Sequence, residues 1–424
     1  MGKPLLYSRL ALVGMVAFLA LALRTELALA ADIPRLTELA RTILGPDQGV
    51  YIESADGTVL LAQAAQKPVH PASVSKVATT LALLRNLGAD YRFVTTFSSA
   101  APVHEGTLAG DLWVESKGDP FFVDENALLV GTRLKEAGIY RVAGTLNPRG
   151  SLTFDWQDDP RAAHLRSVLS GTVPAAAWSN LRSTIAGLGT QPKIDFGPDA
   201  HVRGIAIARG EAANGEAAPA RTLVIHRSQS LLSMAKALND YSNNIFKPLA
   251  DAAGGAAAVQ ALARSIVPAA MRTEITLGDG AGTDARNRLS PRAAVALLRA
   301  LERELALTGH TLVDILPVAG IDDGTLRNRL NTPEDTGRIV GKTGTFGDYG
   351  ASALVGALTT ADRGTVYFAI LNHNVVVPEA RRRQDRFVHA LLTDLHTLPW
   401  NYQRDTRSAV ARAEALVVRS ANSQ

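Results

Sequence analysis

A serine hydroxyl and a lysine amine lie three residues apart in the segment Ser73-Val-Ser-Lys76. On a helix this spacing puts both side chains on one face, about one turn apart, which is close enough for proton transfer. Apolar residues follow on the same helix, and they would desolvate the amine and favour its neutral form. The segment therefore fits a nucleophilic Ser73 with Lys76 as its base, and it fits the solvated start of a helix equally well.

The Ser-x-x-Lys spacing does not by itself identify a site. It occurs a second time, at Ser233 and Lys236, in a chain that has only nine lysines. A surface helix with an exposed lysine would give the same pattern. The assignment therefore depends on companion motifs.

A second candidate is Ser242-Asn243-Asn244, in which a hydroxyl able to relay a proton precedes an amide able to hold a peptide group. The alternative is a polar helix terminus, where serine and asparagine are favoured anyway. Tyr241-Ser-Asn243 overlaps it with the Tyr-x-Asn pattern of a different enzyme class. The residues alone leave the frame open by one position.

The third candidate is Lys342-Thr343-Gly344-Thr345. A strand that carries a cation, a hydroxyl and then a glycine can form the wall of a cleft, because glycine lets a substrate backbone approach as an added strand. A hairpin end is the alternative interpretation. A phosphate loop is excluded, since the spacing GxxxxGK is missing.

The elements that must position these motifs are visible in the apolar pattern. Helical spacing is found in Ile33 to Leu44, and two strand-like segments flank a turn at Asp56-Gly57, which predicts a β-hairpin. A strong helix containing the first motif comes next. Helices on both sides of residue 242 lead to three β-branched segments predicted to be adjacent antiparallel strands: GRIVGKTGTF, ASALVGAL and TVYFAILNHN.

Composition limits the class of protein. A length of 424 residues predicts one large domain with an insertion, or two domains, and a formal net charge of +4 without a basic block argues against nucleic-acid binding. Cysteine is absent, so disulfides cannot contribute to stability. Basic residues, the apolar run Leu10 to Leu23 and ALA before Ala31 predict a signal peptide at residues 1–30, with cleavage after Ala30. That run is too short to favour a permanent span.

The order of the three motifs resembles that of the penicillin-recognising serine enzymes. Whole phrases resemble the D-alanyl-D-alanine carboxypeptidase/endopeptidase family of low-molecular-mass penicillin-binding proteins. They are HPASVSK, KGDPFF, HRSQSLLSMAKALNDYSNN, GDGAGTDARNRLSP, LPVAGIDDGTLRNRL and GRIVGKTGT. This resemblance fixes the second motif as Ser242-Asn243-Asn244. It also implies that Ser233 and Lys236 match the Ser-x-x-Lys spacing without being catalytic.

The resemblance implies an α/β (α+β) fold of the β-lactamase/transpeptidase-like type, in which helices flank an antiparallel sheet. Ser73 and Ser242 are 169 residues apart, which implies a mixed subdomain inserted between the first two motifs. We expect a discontinuous peptidase domain at residues 31–100 and 223–400 and an inserted subdomain at residues 101–222. A C-terminal tail at residues 401–424 would contain a weak amphipathic helix, exposed to solvent or loosely associated with the membrane.

The resemblance also implies the roles of the first and third motifs. Ser73 would attack the carbonyl between two D-alanines, with Lys76 as general base. Lys342 would lower the proton affinity of Lys76 by like-charge repulsion and would attract the terminal carboxylate of the substrate.

The remaining site residues are expected to hold the substrate. Thr343 and Thr345 would hydrogen-bond the carboxylate, Ser242 would pass a proton to the departing amine, and Asn244 would hold the acyl-side amide. Backbone N–H groups of Ser73 and Thr345 would form the oxyanion hole.

The expected partners are peptidoglycan stem peptides as substrate and β-lactam antibiotics as covalent inhibitors, in the periplasm and without a stable membrane span. No cofactor or metal is expected, because HExxH is missing and the nine histidines show no ligand spacing. Two alternatives are a β-lactamase or serine esterase on the same fold, and a non-catalytic wall-binding protein. A β-lactamase of class A needs a carboxylate-activated water, but no convincing ExxxN follows Ser242, where Glu274 is followed by ITLG. The three intact motifs argue against a non-catalytic wall-binding protein.

Overall fold

The structure is a computed structural model that describes residues 34–150, 152–173, 203–208, 221–347, 350–406 and 412–418. The predicted signal peptide at residues 1–30 lies outside these ranges. Within them, no helix combines the length and the apolar character needed to cross a membrane. The chain divides into a first unit, Met1–Ala82 with Asn239–Tyr402, and a second unit, Leu83–Leu238 with Gln403–Gln424.

The helices and strands of the described residues are numbered here in chain order. The strands are β1 Gly49–Ser54, β2 Val59–Gln63, β3 Val94–Ser99, β4 Val103–His104, β5 Thr107–Leu108, β6 Leu112–Ser116, β7 Arg141–Val142, β8 Leu146–Arg149, β9 Thr153–Phe154, β10 Gln157–Asp158, β11 Ala206–Ile207, β12 Arg221–Arg227, β13 Ile275–Thr276, β14 Arg288–Leu289, β15 Ile339–Phe346, β16 Ala351–Thr360, β17 Gly364–Asn372, β18 Thr397–Leu398 and β19 Glu414–Val417. The helices are α1 at residues 34–44, α2 Lys76–Leu87, α3 Asp124–Glu136, α4 Ala163–Leu169, α5 Leu231–Tyr241, α6 Phe246–Ala252, α7 Gly255–Ile266, α8 Pro291–Ala306 and α9 Val377–Asp394. Single 3₁₀ turns occur at Ala72–Ser75, Ala269–Glu274 and Leu312–Asp314.

The first unit is built on an antiparallel sheet in the order β15-β16-β17-β1-β2, with β18 beside β16. The predicted β1–β2 hairpin is confirmed, and so are the three predicted neighbours β15, β16 and β17. The pairing of β1 with β17 joins the beginning of the described chain to its last third. In this sheet β15 is an edge strand, so one side of the Lys342 motif is free of a sheet partner.

Successive side chains of β1 point to opposite faces of this sheet, and helices cover both faces. Val50 and Ile52 belong to an apolar core that also contains residues of α1 and α9. Glu53 points to the opposite face, where it forms an ion pair with Arg299 of α8. The sheet is thus buried between helices, which gives the rigid support that a site on its edge requires.

The second unit contains a five-stranded sheet in the order β19-β12-β3-β6-β8 and a smaller one in the order β11-β7-β5-β4. Its core joins Phe97, Phe122 and Phe154 with apolar residues of α3 and α4. In this sheet β3 pairs with both β12 and β6, so the second unit contains strands from both sides of the predicted insert at residues 101–222.

The C-terminal tail differs from its prediction. Instead of an amphipathic helix, residues Glu414–Val417 form β19, which pairs antiparallel with β12 from Val224 to Arg227. Ala415 is buried in the core of the second unit. Pairing with an open sheet edge satisfies the backbone groups of the tail, so tertiary contacts override the weak helical pattern.

Candidate active site

Ser73 lies in the 3₁₀ turn Ala72–Ser75, directly before α2 begins at Lys76. In a 3₁₀ turn the side chains of residues i and i+3 eclipse each other, so the spacing brings the two groups closer than an α-helix does. Lys76 Nζ is 2.7 Å from Ser73 Oγ. Ala72 has a φ of +47°, a left-handed conformation that costs an alanine about 1 kcal/mol or more and often marks functional sites.

The imidazole of His70 holds this turn. Its Nδ1 accepts a hydrogen bond from the Ala72 N–H at 3.1 Å, and its Nε2 is 3.0 Å from the carbonyl oxygen of Asp284. The ring stacks on Phe346 of β15 with centroids 4.3 Å apart. These contacts stabilise the strained conformation that precedes the nucleophile.

The Lys76 amine is completely buried and surrounded by oxygen atoms. Besides Ser73 Oγ, it lies 2.5 Å from the carbonyl oxygen of Ala281 and 3.2 Å from Asn244 Oδ1. Burial lowers the pKa of Lys76 to about 8, and the negative charge of Asp279 opposes part of this shift. The predicted desolvation of the Lys76 amine is therefore present in the structure.

The loop that supplies the Ala281 carbonyl is held by Asp279. The carboxylate accepts hydrogen bonds from the Thr283 hydroxyl, from the Asn287 amide and from the backbone N–H groups of Thr283 and Gly282, at 2.6 to 2.9 Å. Burial acts to raise the pKa of Asp279, but these hydrogen bonds outweigh it, so the pKa is lowered and the group stays ionised. A Cβ atom at Gly282 would lie 2.0 Å from the carbonyl oxygen of Ala72, which shows how closely this loop packs on the nucleophile turn.

The second motif contacts both lysines. Ser242 follows the last residue of α5 with a φ of +55°, and its Oγ accepts a hydrogen bond from Lys342 Nζ at 2.8 Å. Asn244 reaches Lys76, whereas Tyr241 is 62% exposed and Asn243 accepts a hydrogen bond from the nearby Ile245 N–H. The frame Ser242-Asn243-Asn244 is therefore the one whose side chains meet the other two motifs. Ser233 and Lys236, the other pair with this spacing, belong to the second unit.

Lys342 of β15 is completely buried. Its pKa is well below the ordinary value, first because of burial and then because of the like charge of Lys76, while Asp240 acts in the opposite direction. The sequence predicted both desolvation and repulsion by Lys342 as causes of a low pKa at Lys76. Burial lowers the pKa of Lys76, whereas the repulsion acts on the pKa of Lys342. Lys342 Nζ also donates to the carbonyl oxygen of Thr343 at 2.8 Å.

The two threonines of the third motif have different environments. Thr343 is buried and its hydroxyl donates to Thr325 Oγ1 at 2.9 Å. Thr345 is exposed, and its Oγ1 accepts a hydrogen bond from Arg381 Nη2 of α9 at 2.7 Å. Between them, a Cβ atom at Gly344 would lie 2.6 Å from the carbonyl oxygen of Pro71 and 3.1 Å from the Ser73 nitrogen. The absent side chain thus lets β15 approach the nucleophile turn.

A model of the D-Ala-D-Ala carboxypeptidase 3 (S13) family matches residues 29–202 and 196–394. The chain belongs to the S13 family. Carboxypeptidase DacB of Mycolicibacterium smegmatis is 26% identical to this S13 protein over 391 residues, which are 80% of this chain and 79% of DacB. The D-alanyl-D-alanine carboxypeptidase of Actinomadura sp. strain R39 is 28% identical over 191 residues, 42% of this chain and 35% of that enzyme.

Solved structures show the same fold. A predatory endopeptidase of Bdellovibrio bacteriovorus, acylated by penicillin G and in complex with an immunity protein, has a TM-score of 0.68 at 22% identity. The match covers 85% of this chain and 96% of that one. The predicted family and α/β fold class are confirmed, and this S13 protein is a serine-type D-Ala-D-Ala carboxypeptidase, as the motifs predicted.

Sequence reasoning assigned no role to several groups that line the S13 site. The Ala281 carbonyl and Asp279 lie in the phrase GDGAGT, whose three glycines and aspartate are typical of a tight loop but do not indicate its contact with Lys76. Arg381 belongs to the basic run RRRQDR on α9, where nothing in the sequence separates it from its neighbours. Thr325 also carried no distinguishing signal.

Proposed function

We propose that this enzyme hydrolyses D-Ala-D-Ala bonds of peptidoglycan stem peptides through an acyl-enzyme on Ser73, in the periplasm, after a signal peptide at residues 1–30 has been removed. The observation that carries the proposal is the contact of 2.7 Å between Ser73 Oγ and the buried amine of Lys76. With a pKa of about 8, roughly one such amine in ten is neutral at pH 7, against fewer than one in a thousand for an ordinary lysine. That difference makes Lys76 a usable base.

In the acylation step, Lys76 takes the hydroxyl proton while Ser73 Oγ bonds to the carbonyl carbon of the penultimate D-alanine. The C–N bond to the terminal D-alanine then breaks, and the departing nitrogen receives a proton. Ser242 delivers that proton and regains one from Lys342, whose Nζ donates a hydrogen bond to its Oγ and whose low pKa favours giving up a proton. Lys76 then loses the proton that it gained, and Lys342 regains one, by exchange with solvent. Water then hydrolyses the ester on Ser73, and the shortened stem peptide leaves.

Backbone N–H groups of Ser73 and Thr345 form the proposed oxyanion hole. Support comes from Gly344, which brings the edge strand close to the Ser73 nitrogen. A single donor of this kind contributes about 3 to 4 kcal/mol to the stability of a transition state. Asn244, whose amide also reaches Lys76, holds the acyl-side peptide group.

Recognition of the substrate carboxylate is assigned to Thr345 and Arg381. The exposed Thr345 hydroxyl and the guanidinium that donates to it present adjacent donors, and hydrogen bonds from an ionised donor are stronger than neutral ones. Lys342 is buried, and it already donates to Ser242 and to the Thr343 carbonyl. Its main role in this proposal is therefore proton transfer, and Thr343, which donates to Thr325, helps to position the strand.

β-Lactams are proposed to acylate the same serine, and the endopeptidase reaction is proposed to use the same acyl-enzyme. The Bdellovibrio neighbour supports both, since it is an endopeptidase solved in the penicillin G-acylated form. In the carboxypeptidase and endopeptidase reactions the amine departs before water enters, so the ester on Ser73 is common to both. In the β-lactam reaction the amine remains attached to the adduct through the opened ring.

Intact-mass measurement after incubation with penicillin G tests the proposal. We expect one adduct per chain, mapped to the peptide that contains Ser73 and missing from Ser73→Ala. Ser233→Ala is the matched control, since it removes the serine of the second Ser-x-x-Lys pair and should leave the adduct unchanged.

Two further assays separate the alternatives. Release of free D-alanine from a stem pentapeptide, together with cleavage of a cross-linked muropeptide dimer, distinguishes carboxypeptidase from endopeptidase action. Rapid turnover of penicillin without accumulation of the adduct would indicate a β-lactamase instead. A folded protein that neither forms the adduct nor releases D-alanine would refute the proposal and favour a wall-binding role.

A further inference from the structure

Two carboxylates and an imidazole from separate parts of the second unit converge at one point. Asp124 is the first residue of α3, Asp155 lies in the tight turn between β9 and β10, and His164 is the second residue of α4. One ligand atom from each of the three side chains lies within 4.8 Å of the other two. Histidine nitrogen with carboxylate oxygens is a donor set that first-row divalent ions take.

Asp124 has an oxygen atom without a hydrogen-bond partner at this point. Its side chain is only 5% exposed, and Oδ1 is buried and makes no hydrogen bond. The nearest basic atom that the structure describes is His164 Nε2 at 3.7 Å, which is beyond hydrogen-bond distance. Leaving a buried carboxylate oxygen unpaired is costly, so the position indicates a missing positive partner.

The local charge also favours a cation. Two carboxylates, Asp124 and Asp155, lie beside a single imidazole, and the side chain of Glu125 is adjacent along α3. Negative charge thus exceeds positive charge at this point among the described residues.

We propose that Asp124, Asp155 and His164 bind a Zn²⁺ ion that links the start of α3, the β9–β10 turn and α4. Ligand atoms of a tetrahedral zinc site lie roughly 3.3 Å apart. The separation of 3.7 Å between Asp124 and His164 closes by a few tenths of an ångström, and the two separations to Asp155, both within 4.8 Å, close by rotation of that partly exposed side chain. Asp155 and His164 are partly exposed, which gives the ion an entry path and leaves room for a water as fourth ligand. Ca²⁺ and Mg²⁺ prefer more ligands, all of them oxygen.

The ligands are already positioned by the protein core, which suits a structural ion. The His164 ring packs edge-on against Phe154, with centroids 4.9 Å apart, and the Asp155 N–H donates to the Phe122 carbonyl at 2.9 Å. Both phenylalanines belong to the core of the second unit. An ion bound here would therefore stabilise the packing of three elements on that core.

Titration of the full, EDTA-treated protein with Zn²⁺ in a calorimeter tests this site, together with the thermal unfolding temperature. We expect one equivalent of Zn²⁺ to bind and to raise the unfolding temperature, because an ion that binds only the folded state stabilises it. Asp124→Asn, which keeps shape but removes charge, and the half-buried Asp155→Asn should each weaken binding by about tenfold or more. Mg²⁺ and Ca²⁺ should neither bind here nor compete.

His310→Ala is the matched control. His310 lies 4.0 Å from the carboxylate of Asp314 on the first unit, and no second acidic ligand joins this pair among the residues that the structure describes. Its replacement should leave the zinc titration unchanged. Zinc binding that survives both aspartate substitutions, or that disappears in His310→Ala, would overturn the proposal, as would no binding by the unmodified protein. If Asp124→Asn fails to fold, Asp155→Asn alone decides.

Discussion

Replacing Gly344 by alanine should lower the rate of acylation strongly and the folding stability only moderately, without changing a catalytic side chain. The added Cβ atom would lie 2.6 Å from the Pro71 carbonyl oxygen and 3.1 Å from both the Ala72 Cβ atom and the Ser73 nitrogen. These neighbours are backbone and a short side chain, so they cannot rotate away. Ordinary contact begins near 3.4 Å, so the edge strand and the nucleophile turn must move apart by about 0.8 Å.

The movement should affect the reaction strongly and the fold moderately. A shift of nearly 1 Å between the nucleophile and its oxyanion donors is expected to lower the rate of acylation by roughly 10²-fold. Overpacking of this size costs about 1 to 3 kcal/mol of folding stability. Ser73 and Lys76 lie three residues apart where the 3₁₀ turn continues into α2, so their mutual contact should persist. The pH dependence of the residual activity should therefore stay the same.

The assay is the second-order rate constant for labelling by a fluorescent penicillin, measured beside the free energy of unfolding in urea. Gly341→Ala is a matched control on the same strand, because its Cβ atom would lie 2.5 Å from the Val355 carbonyl oxygen and contact β16 rather than the nucleophile turn. Both variants should lose similar stability, and only Gly344→Ala should lose labelling.

Two results would refute this reasoning. If Gly344→Ala were labelled within about threefold of the unmodified rate, the gap between β15 and the turn would not set the geometry of the reaction. If Gly341→Ala lost labelling to the same extent, the loss would come from general displacement of the strand rather than from the contact with Ser73.

The remaining predictions concern the charges of the site. The rate of acylation should rise with pH through a midpoint near 8 and level off above it, because Lys76 acts in its neutral form. Asp279→Asn should move that midpoint to lower pH, because the carboxylate raises the pKa of Lys76. A stopped-flow pH profile measures both midpoints, and a pH-independent rate would contradict the first prediction. Arg381→Ala should raise the KM for a stem pentapeptide by roughly 10-fold or more with a smaller change in kcat, as expected for the loss of a charged hydrogen bond of about 1.5 to 3 kcal/mol. Arg382→Ala, whose guanidinium pairs with Glu379 on the same helix, should leave both constants unchanged.

What the sequence could predict was local. Ser73 with Lys76, and the strand that carries Lys342, were recognisable because their spacing and β-branched pattern depend on neighbours along the chain. The meeting of Lys76 with the Ala281 carbonyl depends instead on a loop that begins about 200 residues later, and no local pattern encodes it. Arg381 was missed for the same reason, since its contact with Thr345 arises from the packing of α9 beside the sheet.

The cluster of Asp124, Asp155 and His164 shows the same limit. Histidine spacing gave no metal signal, because two of the three ligands are carboxylates in different elements, and carboxylates are common on any surface. Strand β19 was mispredicted because a short apolar alternation fits a weak helix as well as a strand, and only the open edge of β12 decides between them.

The order in which the chain pairs within the first unit has a consequence for the order of events during synthesis. The strand at Gly49–Ser54 completes its ladder with Gly364–Asn372, and the base beside Ser73 gains its carbonyl partner only from residue 281. A growing chain that already contains Ser73 therefore has no assembled active site until nearly all of the chain has been synthesised. Such late, long-range pairing predicts slow folding, and it keeps the enzyme inactive until folding is complete.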